Sequence, residues 1–296
     1  MTIPEFPTFI VQPATSPASQ VALRILVEGA GIDPEPIGTA VWICSHLVLT
    51  ARHNVVDIAR RFGTERLDET KLSVTEYSIR LYQILPGPEY VIWEARDIWC
   101  SAESDLALIN VSLWGYSGER LPDSSFGLVM KGLPPPLSSK VAGFGYHSIT
   151  TSVQRHSDGR YHLDLNDVPQ ATTGYVTDVF PDGRDSAMYP FPCFQVNARF
   201  DHAMSGGPVF NETGQLVGII CGSLDSMDDG EEVSYVATIW PVLRILIRAK
   251  RAGHPTPKQS YPAIDLALDG LLAIADLSDL NSSWFPGREL TKLGQR

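Results

Sequence analysis

Short apolar runs cut by turn signals fill most of this chain, in two successive groups of about six, and few architectures accept such a pattern. From Val21 onward, Val21 to Val27, Thr39 to Cys44, Leu47 to Thr50, Ile79 to Leu85, Tyr90 to Glu94 and Leu106 to Val111 read as strands. Gly-Ile-Asp-Pro-Glu-Pro at 31–36 and Leu-Pro-Gly-Pro at 85–88 punctuate them, and one short helical stretch, Val55 to Phe62, interrupts the group. A loop rich in Gly, Ser, Asp and Pro from Gly115 to about Pro136 marks a boundary. Strand candidates then resume at Lys140 to Phe144, Arg160 to Leu165, Thr173 to Val179, Cys193 to Val196, Pro208 to Phe210, Leu216 to Cys221 and Val233 to Thr238. Two groups with so little helix predict two sandwiches or small barrels.

The ends differ from this middle. Residues 1–18 hold several prolines, serines and threonines and read as a loose arm. After Trp240 the apolar residues Val242, Leu243, Ile245, Leu246 and Ile247 stand among basic residues, which predicts a helix over 241–250. Ala263 to Leu280 carries apolar residues at helix-compatible spacing and predicts an appended helix or two.

Charge and cysteine usage narrow the function classes. The formal net charge of −11 argues against nucleic-acid and anionic-membrane partners, which want a cationic face. The amino terminus lacks the basic-then-apolar pattern of a secretory signal, and the longest apolar runs, such as Leu216 to Cys221, are too short to span a bilayer. Cys44, Cys100, Cys193 and Cys221 have neither CxxC spacing nor a dense framework, so free thiols and a cytoplasmic setting are expected. His156 and His162 lack paired ligands at metal-site spacing, and no cofactor is implied.

Three short stretches carry chemistry. Leu-Val-Leu-Thr-Ala-Arg-His-Asn ends a strand at His53, Glu-Ser-Asp-Leu-Ala-Leu-Ile opens a buried strand at Asp105, and His-Ala-Met-Ser-Gly-Gly-Pro-Val-Phe holds Ser205 in a tight turn. A serine hydroxyl is a poor nucleophile until an imidazole takes its proton, and the imidazole must be held in one tautomer by a buried carboxylate. Each stretch alone fits a plain structural role. Their conjunction, in the order His, Asp, Ser, with two in the first strand group and one in the second, points to a catalytic triad in a cleft between two barrels. An α/β-hydrolase would instead show Gly-x-Ser-x-Gly and the order Ser, Asp, His.

On these stretches the chain resembles the chymotrypsin-like (trypsin-like) serine proteases, most closely their bacterial trypsin-like peptidase branch. The similarity covers about Val21 to Ala249 and includes Gly38-Thr39-Ala40, Gly-Gln-Leu-Val-Gly-Ile-Ile at 214–220 and Tyr235-Val-Ala-Thr-Ile. It implies an all-β fold of two six-stranded antiparallel β-barrels with a C-terminal helix, here with an appended helical tail. The corresponding division is an arm over 1–18 and a protease domain over 19–250. Within that domain the first barrel spans about 19–115, the second about 125–240 and the helix 241–250. A C-terminal extension over 251–296 is a candidate docking or regulatory element, or a segment that merely packs on the barrels. The resemblance further implies peptide-bond hydrolysis through an acyl-enzyme, with Ser205 as nucleophile, His53 as base then acid, and Asp105 as orienter. Ala203 and Ser205 would supply the oxyanion-hole N–H groups. The expected function is a serine endopeptidase of narrow specificity under the control of a protein partner; the alternative is a protease-fold binding module with little or no activity.

Three departures from the family stand out. The residue two before the serine, usually glycine, is Ala203, whose Cβ makes unusual backbone angles costly, so the oxyanion loop is expected to need substrate or a partner to settle. No Ile-Val-Gly-Gly-like terminus or family disulfide pair is recognisable. The position that holds aspartate in trypsin-like specificity is Arg199, and the remaining pocket walls would be Cys221, Gly222, Ser223 and Tyr235. Arg199 could favour an acidic P1 residue or pair structurally, and the acidic loop Asp225 to Glu232 could attract basic substrates.

Overall fold

A computed structural model describes residues 10–11, 16–29, 32–61, 77–85, 89–118, 128–157, 161–225, 232–249, 259–287 and 290. Its twelve principal strands form two closed barrels. The first contains β1 (Ala22–Gly29), β2 (Ile32–Cys44), β3 (Leu47–Ala51), β4 (Tyr77–Ile84), β5 (Tyr90–Cys100) and β6 (Leu106–Tyr116), paired in the order β1-β2-β3-β6-β5-β4 and closed by β4 on β1. The second contains β7 (Lys140–Arg155), β8 (Tyr161–Phe180), β9 (Cys193–Val196), β10 (Pro208–Asn211), β11 (Leu216–Asp225) and β12 (Glu232–Thr238). Their order is β7-β8-β9-β12-β11-β10, closed by β10 on β7. Every barrel pairing is antiparallel, and the two barrels repeat one strand order.

Full closure leaves no unpaired edge, so strands can be apolar on both faces without inviting aggregation. The first barrel uses this freedom: β3 is buried along its whole length, and Leu23, Ile25, Trp42 and Leu49 are buried in its core. Trp42 meets Trp93 edge-to-face at 4.9 Å between ring centroids. The second barrel packs Phe194, Val196, Phe200, Val209, Val217 and Val236 into its own cluster.

Two regions differ from the sequence expectation. The strands at 140–144, 160–165 and 173–179 are longer than their apolar runs, and β7 and β8 form one hairpin extending through Arg155 and Tyr161. Its far half alternates polar residues, Thr150, Ser152 and Gln154 against Asp164 and Asn166, which hides a strand from an apolar-run criterion. This arm lies on the outside of the first barrel. Leu163 and Leu165 cover Leu26, Tyr82 and Ile92, the Thr151 hydroxyl donates to the Pro34 carbonyl at 3.0 Å, and buried Arg24 pairs with Asp167 while stacking on Tyr146.

The predicted helix over 241–250 is absent. Trp240–Arg244 forms a 3-10 turn and Leu246–Ala249 a strand paired with Gln259–Pro262. Ile245 and Ile247 are buried while Leu246 and Arg248 face out, a period of two rather than 3.6. Within 263–280 the only α-helix is the five-residue Ile264–Leu268, followed by turns and the two-residue strand Ala273–Ile274. This C-terminal stretch is part of the common core. Leu266, Leu272, Leu277, Leu280 and Phe285 join the cluster of the barrels, Trp284 stacks on Trp240 at 4.2 Å, and Asp276 accepts the N–H groups of Gly132 and Leu133 at 2.7 and 2.9 Å. At the other end, Ile10–Val11 pairs with β8 and Pro17–Val21 forms a short helix capped by Ser16. No helix among the described residues is long and apolar enough to cross a membrane.

Candidate active site

Register brings the first two residues together. β3 pairs with β6 so that Thr50 faces Ala107 and Ala51 faces Leu106. The residues just past these pairs, Arg52-His53 on one chain and Asp105 on the other, therefore share one end of the barrel. The Arg52 N–H donates to the Asp105 carbonyl at 3.0 Å and the His53 N–H to Asp105 Oδ1 at 2.9 Å. Asp105 Oδ2 lies 2.7 Å from His53 Nδ1. Both carboxylate oxygens are thus spent on one residue, which fixes the imidazole and leaves Nε2 for the cleft. Burial pushes the His53 pKa down, but the hydrogen bond and charge of Asp105, with the charge of Asp57, outweigh it and hold the value above the ordinary 6.5.

Ser205 comes from the second barrel, in the connection from β9 to β10. A 3-10 turn, His202–Met204, precedes it, and Gly206 follows with φ +84°, where a Cβ would stand 2.1 Å from the Thr39 carbonyl. Glycine is required there by both angle and space. The Ser205 carbonyl accepts the Thr39 N–H and the Asn54 Nδ2 amide, each at 2.9 Å. Asn54 is the residue after His53, so one side chain ties the serine turn to the histidine helix, Arg52–Arg61. Gly38 belongs to the same junction: a Cβ on it would lie 2.8 Å from the Ser205 carbonyl.

Cys221 is the common neighbour of the three. Its carbonyl accepts the Ser205 hydroxyl at 3.3 Å, its thiol donates to the Ile219 carbonyl at 3.5 Å, and it lines a cleft of about 320 Å³ with His53, Asp105, Met188, Tyr189 and Phe191. A second hollow of about 430 Å³ continues past His53 along Val56, Arg60, Glu103 and Met188. Ser205 is 5% exposed, while the His53 side chain is 36% exposed and reachable from solvent. All four cysteines are free; burial holds the Cys44, Cys100 and Cys193 thiols up at about 11 and raises the Cys221 thiol well above its ordinary value, so they stay protonated at neutral pH. Among the described residues no three His, Cys, Asp or Glu side chains converge as metal ligands would.

A profile of the trypsin-like peptidase domain matches residues 38–219, well over half the chain and spanning all three residues. The chain belongs to the trypsin-like peptidase family. Among solved structures, the inactive form of Rv3671c from M. tuberculosis H37Rv is 17% identical, with a TM-score of 0.42 over 79% of this chain and 91% of that one. The MamO protease domain from Magnetospirillum magneticum is 15% identical, with a TM-score of 0.42 over 75% and 93%. Deg5 is 13% identical, with a TM-score of 0.46 over 76% and 87%. No curated protein matches the sequence significantly.

The specificity residues named from the sequence fall into two places. Tyr235 stacks on Tyr189 at 4.3 Å between centroids, and the Tyr189 hydroxyl sits 3.3 Å from where a Cβ on Gly222 would be, so Cys221, Gly222 and Tyr235 gather under one aromatic cover. Ser223 pairs with Ser234 between β11 and β12. Arg199 does not join them. It is half exposed and binds Asp201 and Glu232 at 2.6 and 2.7 Å, the structural pairing rather than an acidic-P1 anchor. Of the proposed acidic loop, 226–231 lies outside the described residues. Sequence reasoning did not single out Thr39, Asn54, Met188, Tyr189 or Phe191. Thr39 and Asn54 carry a signal in hindsight, as they flank the catalytic stretches in Gly-Thr-Ala and Arg-His-Asn; the 188–191 segment offers none beyond its aromatic content.

Proposed function

We propose that this trypsin-like peptidase is a serine endopeptidase in which Ser205 attacks the scissile carbonyl. His53 takes the hydroxyl proton and returns it to the leaving amine, and Asp105 holds the imidazole with Nε2 facing the cleft. The N–H groups of Ala203 and Ser205 serve the tetrahedral oxyanion. The observation that carries this reading is the double grip of Asp105 on His53, Oδ1 on the backbone and Oδ2 on the ring, beside a serine tied to the same helix through Asn54. Met188, Tyr189 and Phe191 line the open cleft beside His53, and a narrow substrate range is part of the proposal. Control by a protein partner is part of the proposal, and the barrels together with their C-terminal segment form the unit it would act on, since that segment shares their core.

A second reading, a protease-fold module that binds peptides with little or no cleavage, draws on the Ser205 hydroxyl, which donates to the Cys221 carbonyl. Labelling with a fluorophosphonate probe separates the two. The catalytic reading expects covalent labelling of the wild type, loss of it in Ser205→Ala, and cleavage of members of a peptide library. Peptide binding without labelling would select the module instead.

A further inference from the structure

The cleft beside Ser205 does not end at the triad. Its wall residues His53, Asp105, Met188 and Phe191 also line the hollow of about 430 Å³, and two residues of that hollow, Ala102 and Glu103, line a third of about 360 Å³. The other walls of the third are Cys100, the last residue of β5, with Ser101, and Arg244, Ile245 and Leu246 of the C-terminal segment. The three hollows adjoin in one groove that runs from Cys221 to Leu246. Its far wall lies outside the domain match, which stops at residue 219. Residues 244–246 belong to the 3-10 turn and strand that stand where the resemblance implies a helix.

Strand alternation makes that far wall apolar. Ile245 and Ile247 are buried, so Leu246 is turned outward and stays 48% exposed, a large apolar side chain at the groove rather than in the core. The polar groups around it are already spent. Glu103 and Arg244 pair at 2.9 Å, the Ser101 hydroxyl accepts the Glu103 N–H at 3.1 Å, and the Ile245 carbonyl accepts the Ala263 N–H at 2.9 Å. An occupant is therefore offered the apolar surface of Cys100, Ala102 and Leu246 beside a charge pair that is already matched, which suits an aliphatic side chain. Reach sets where that side chain lies in a bound peptide. From Asp105 back to Ala102 is three residues, at most about 11 Å of chain. A peptide extended along this loop advances about 3.4 Å per residue, so the far hollow meets a side chain about three to five positions from the bond that Ser205 attacks.

We infer that the C-terminal segment supplies a distal substrate site, in which Leu246, Ala102 and Cys100 take an aliphatic side chain of the peptide held in the cleft. The inference rests on the proposed reading of that cleft as a peptide site. It also gives the Arg244–Glu103 pair a task, since the pair ties the far wall to the loop that carries Asp105. Matched peptides test it, each with the best library sequence at the scissile bond and either Leu or Ser at one position three to five residues away on either side. The wild type should prefer Leu at one such position by about 5- to 30-fold in kcat/KM, the worth of partly burying a leucine. Leu246→Ser should cut that preference to about twofold or less. Leu113→Ser, at an exposed leucine of β6 outside these three hollows, should keep it. No Leu preference in the wild type, or one unchanged in Leu246→Ser, would overturn the inference. So would a wild-type dimer, measured by light scattering, that Leu246→Ser dissociates, because the hollow would then belong to a second copy. Fluorophosphonate labelling of Ser205 tests the underlying reading separately. If Ser205 is not labelled and no peptide is cleaved, the endopeptidase reading fails, and fluorescence anisotropy of the same peptides reads the preference as binding. Tighter binding of the Leu peptide that is lost in Leu246→Ser then upholds the distal site; equal binding of the two peptides removes it as well.

Discussion

The two barrels share one strand order, yet they use the same connection in opposite ways. The link from the third to the fourth strand of the first barrel opens with a helix, Arg52–Arg61, that carries His53. The corresponding link in the second barrel contains a 3-10 turn and Ser205. A helix fixes its residues through successive internal hydrogen bonds, and here two bonds from Asp105 add to them. The serine turn is closed by the Met204 N–H on the Asp201 carbonyl and is held from outside by Thr39, Asn54 and Ile220. Two copies of one topology thus hold the histidine through a helix and the serine through a turn. In the proposed mechanism the first barrel supplies the base and its orienting carboxylate, and the second supplies the nucleophile.

Substitutions on either side should expose this asymmetry. The largest effect is expected from Asp105→Asn, which removes the carboxylate that orients His53: kcat should fall about 10⁴-fold, measured on the best library peptide. A loss under about tenfold would mean that the first barrel does not supply a pre-set base. Gly206→Ala strikes the second barrel, where the new Cβ meets the Thr39 carbonyl at positive φ. Denaturant unfolding should show a loss of about 2–5 kcal/mol, the sum of the backbone and overpacking costs. An unchanged midpoint would show that the turn yields more than its contacts suggest.

Smaller effects probe the junction and the titration. Asn54→Ala removes the amide that joins the halves and should lower stability by about 1–3 kcal/mol, with kcat reduced more than KM is raised. A purely additive loss with kcat intact would uncouple the serine turn from the histidine helix. The pH profile should shift least. Because Asp105 holds the His53 pKa above 6.5, the acid limb of kcat/KM should lie above that value and move down in Asp105→Asn. The same raised value favours the fold while the imidazole is protonated. That contribution is complete below the unfolded pKa and is lost as pH rises through the folded one, so the conditions that generate the free base also remove it. A limb at or below 6.5 in the wild type would contradict the Asp105–His53 geometry.

How far the sequence reveals these features depends on what each residue is doing. His53 and Asp105 can be placed because they end and begin apolar strands, and strand register does the rest. The double barrel is readable for the same reason, since its strands are apolar and turn-bounded. The β7–β8 arm is not readable that way: its far half is polar on the exposed face, and its anchors, Arg24 with Asp167 and Thr151 with Pro34, lie more than a hundred residues apart in sequence. The segment after Trp240 misleads because Val242, Leu243, Ile245 and Ile247 satisfy helical spacing, whereas pairing with Gln259–Pro262 imposes alternation. Arg199 shows a further limit. Its place in the chain suggests a pocket, but Asp201 and Glu232 outbid the pocket for its guanidinium. The cost of a Cβ at Ala203 is visible in the sequence; the contacts that hold Asp201 and Met204 on either side of it appear only in the structure.

The arm also bears on how the chain is made. Leu26, Tyr82 and Ile92 form an apolar patch on the outer wall of the first barrel, and their cover, Leu163 and Leu165, is encoded about seventy residues after the last of them. During synthesis at ordinary speeds the part of that interval after Tyr116, where β6 ends, lasts on the order of several seconds, during which a finished first barrel shows a sticky surface to the cell. The nascent chain is thus most exposed to aggregation, and most in need of a chaperone, before the second barrel has begun to close.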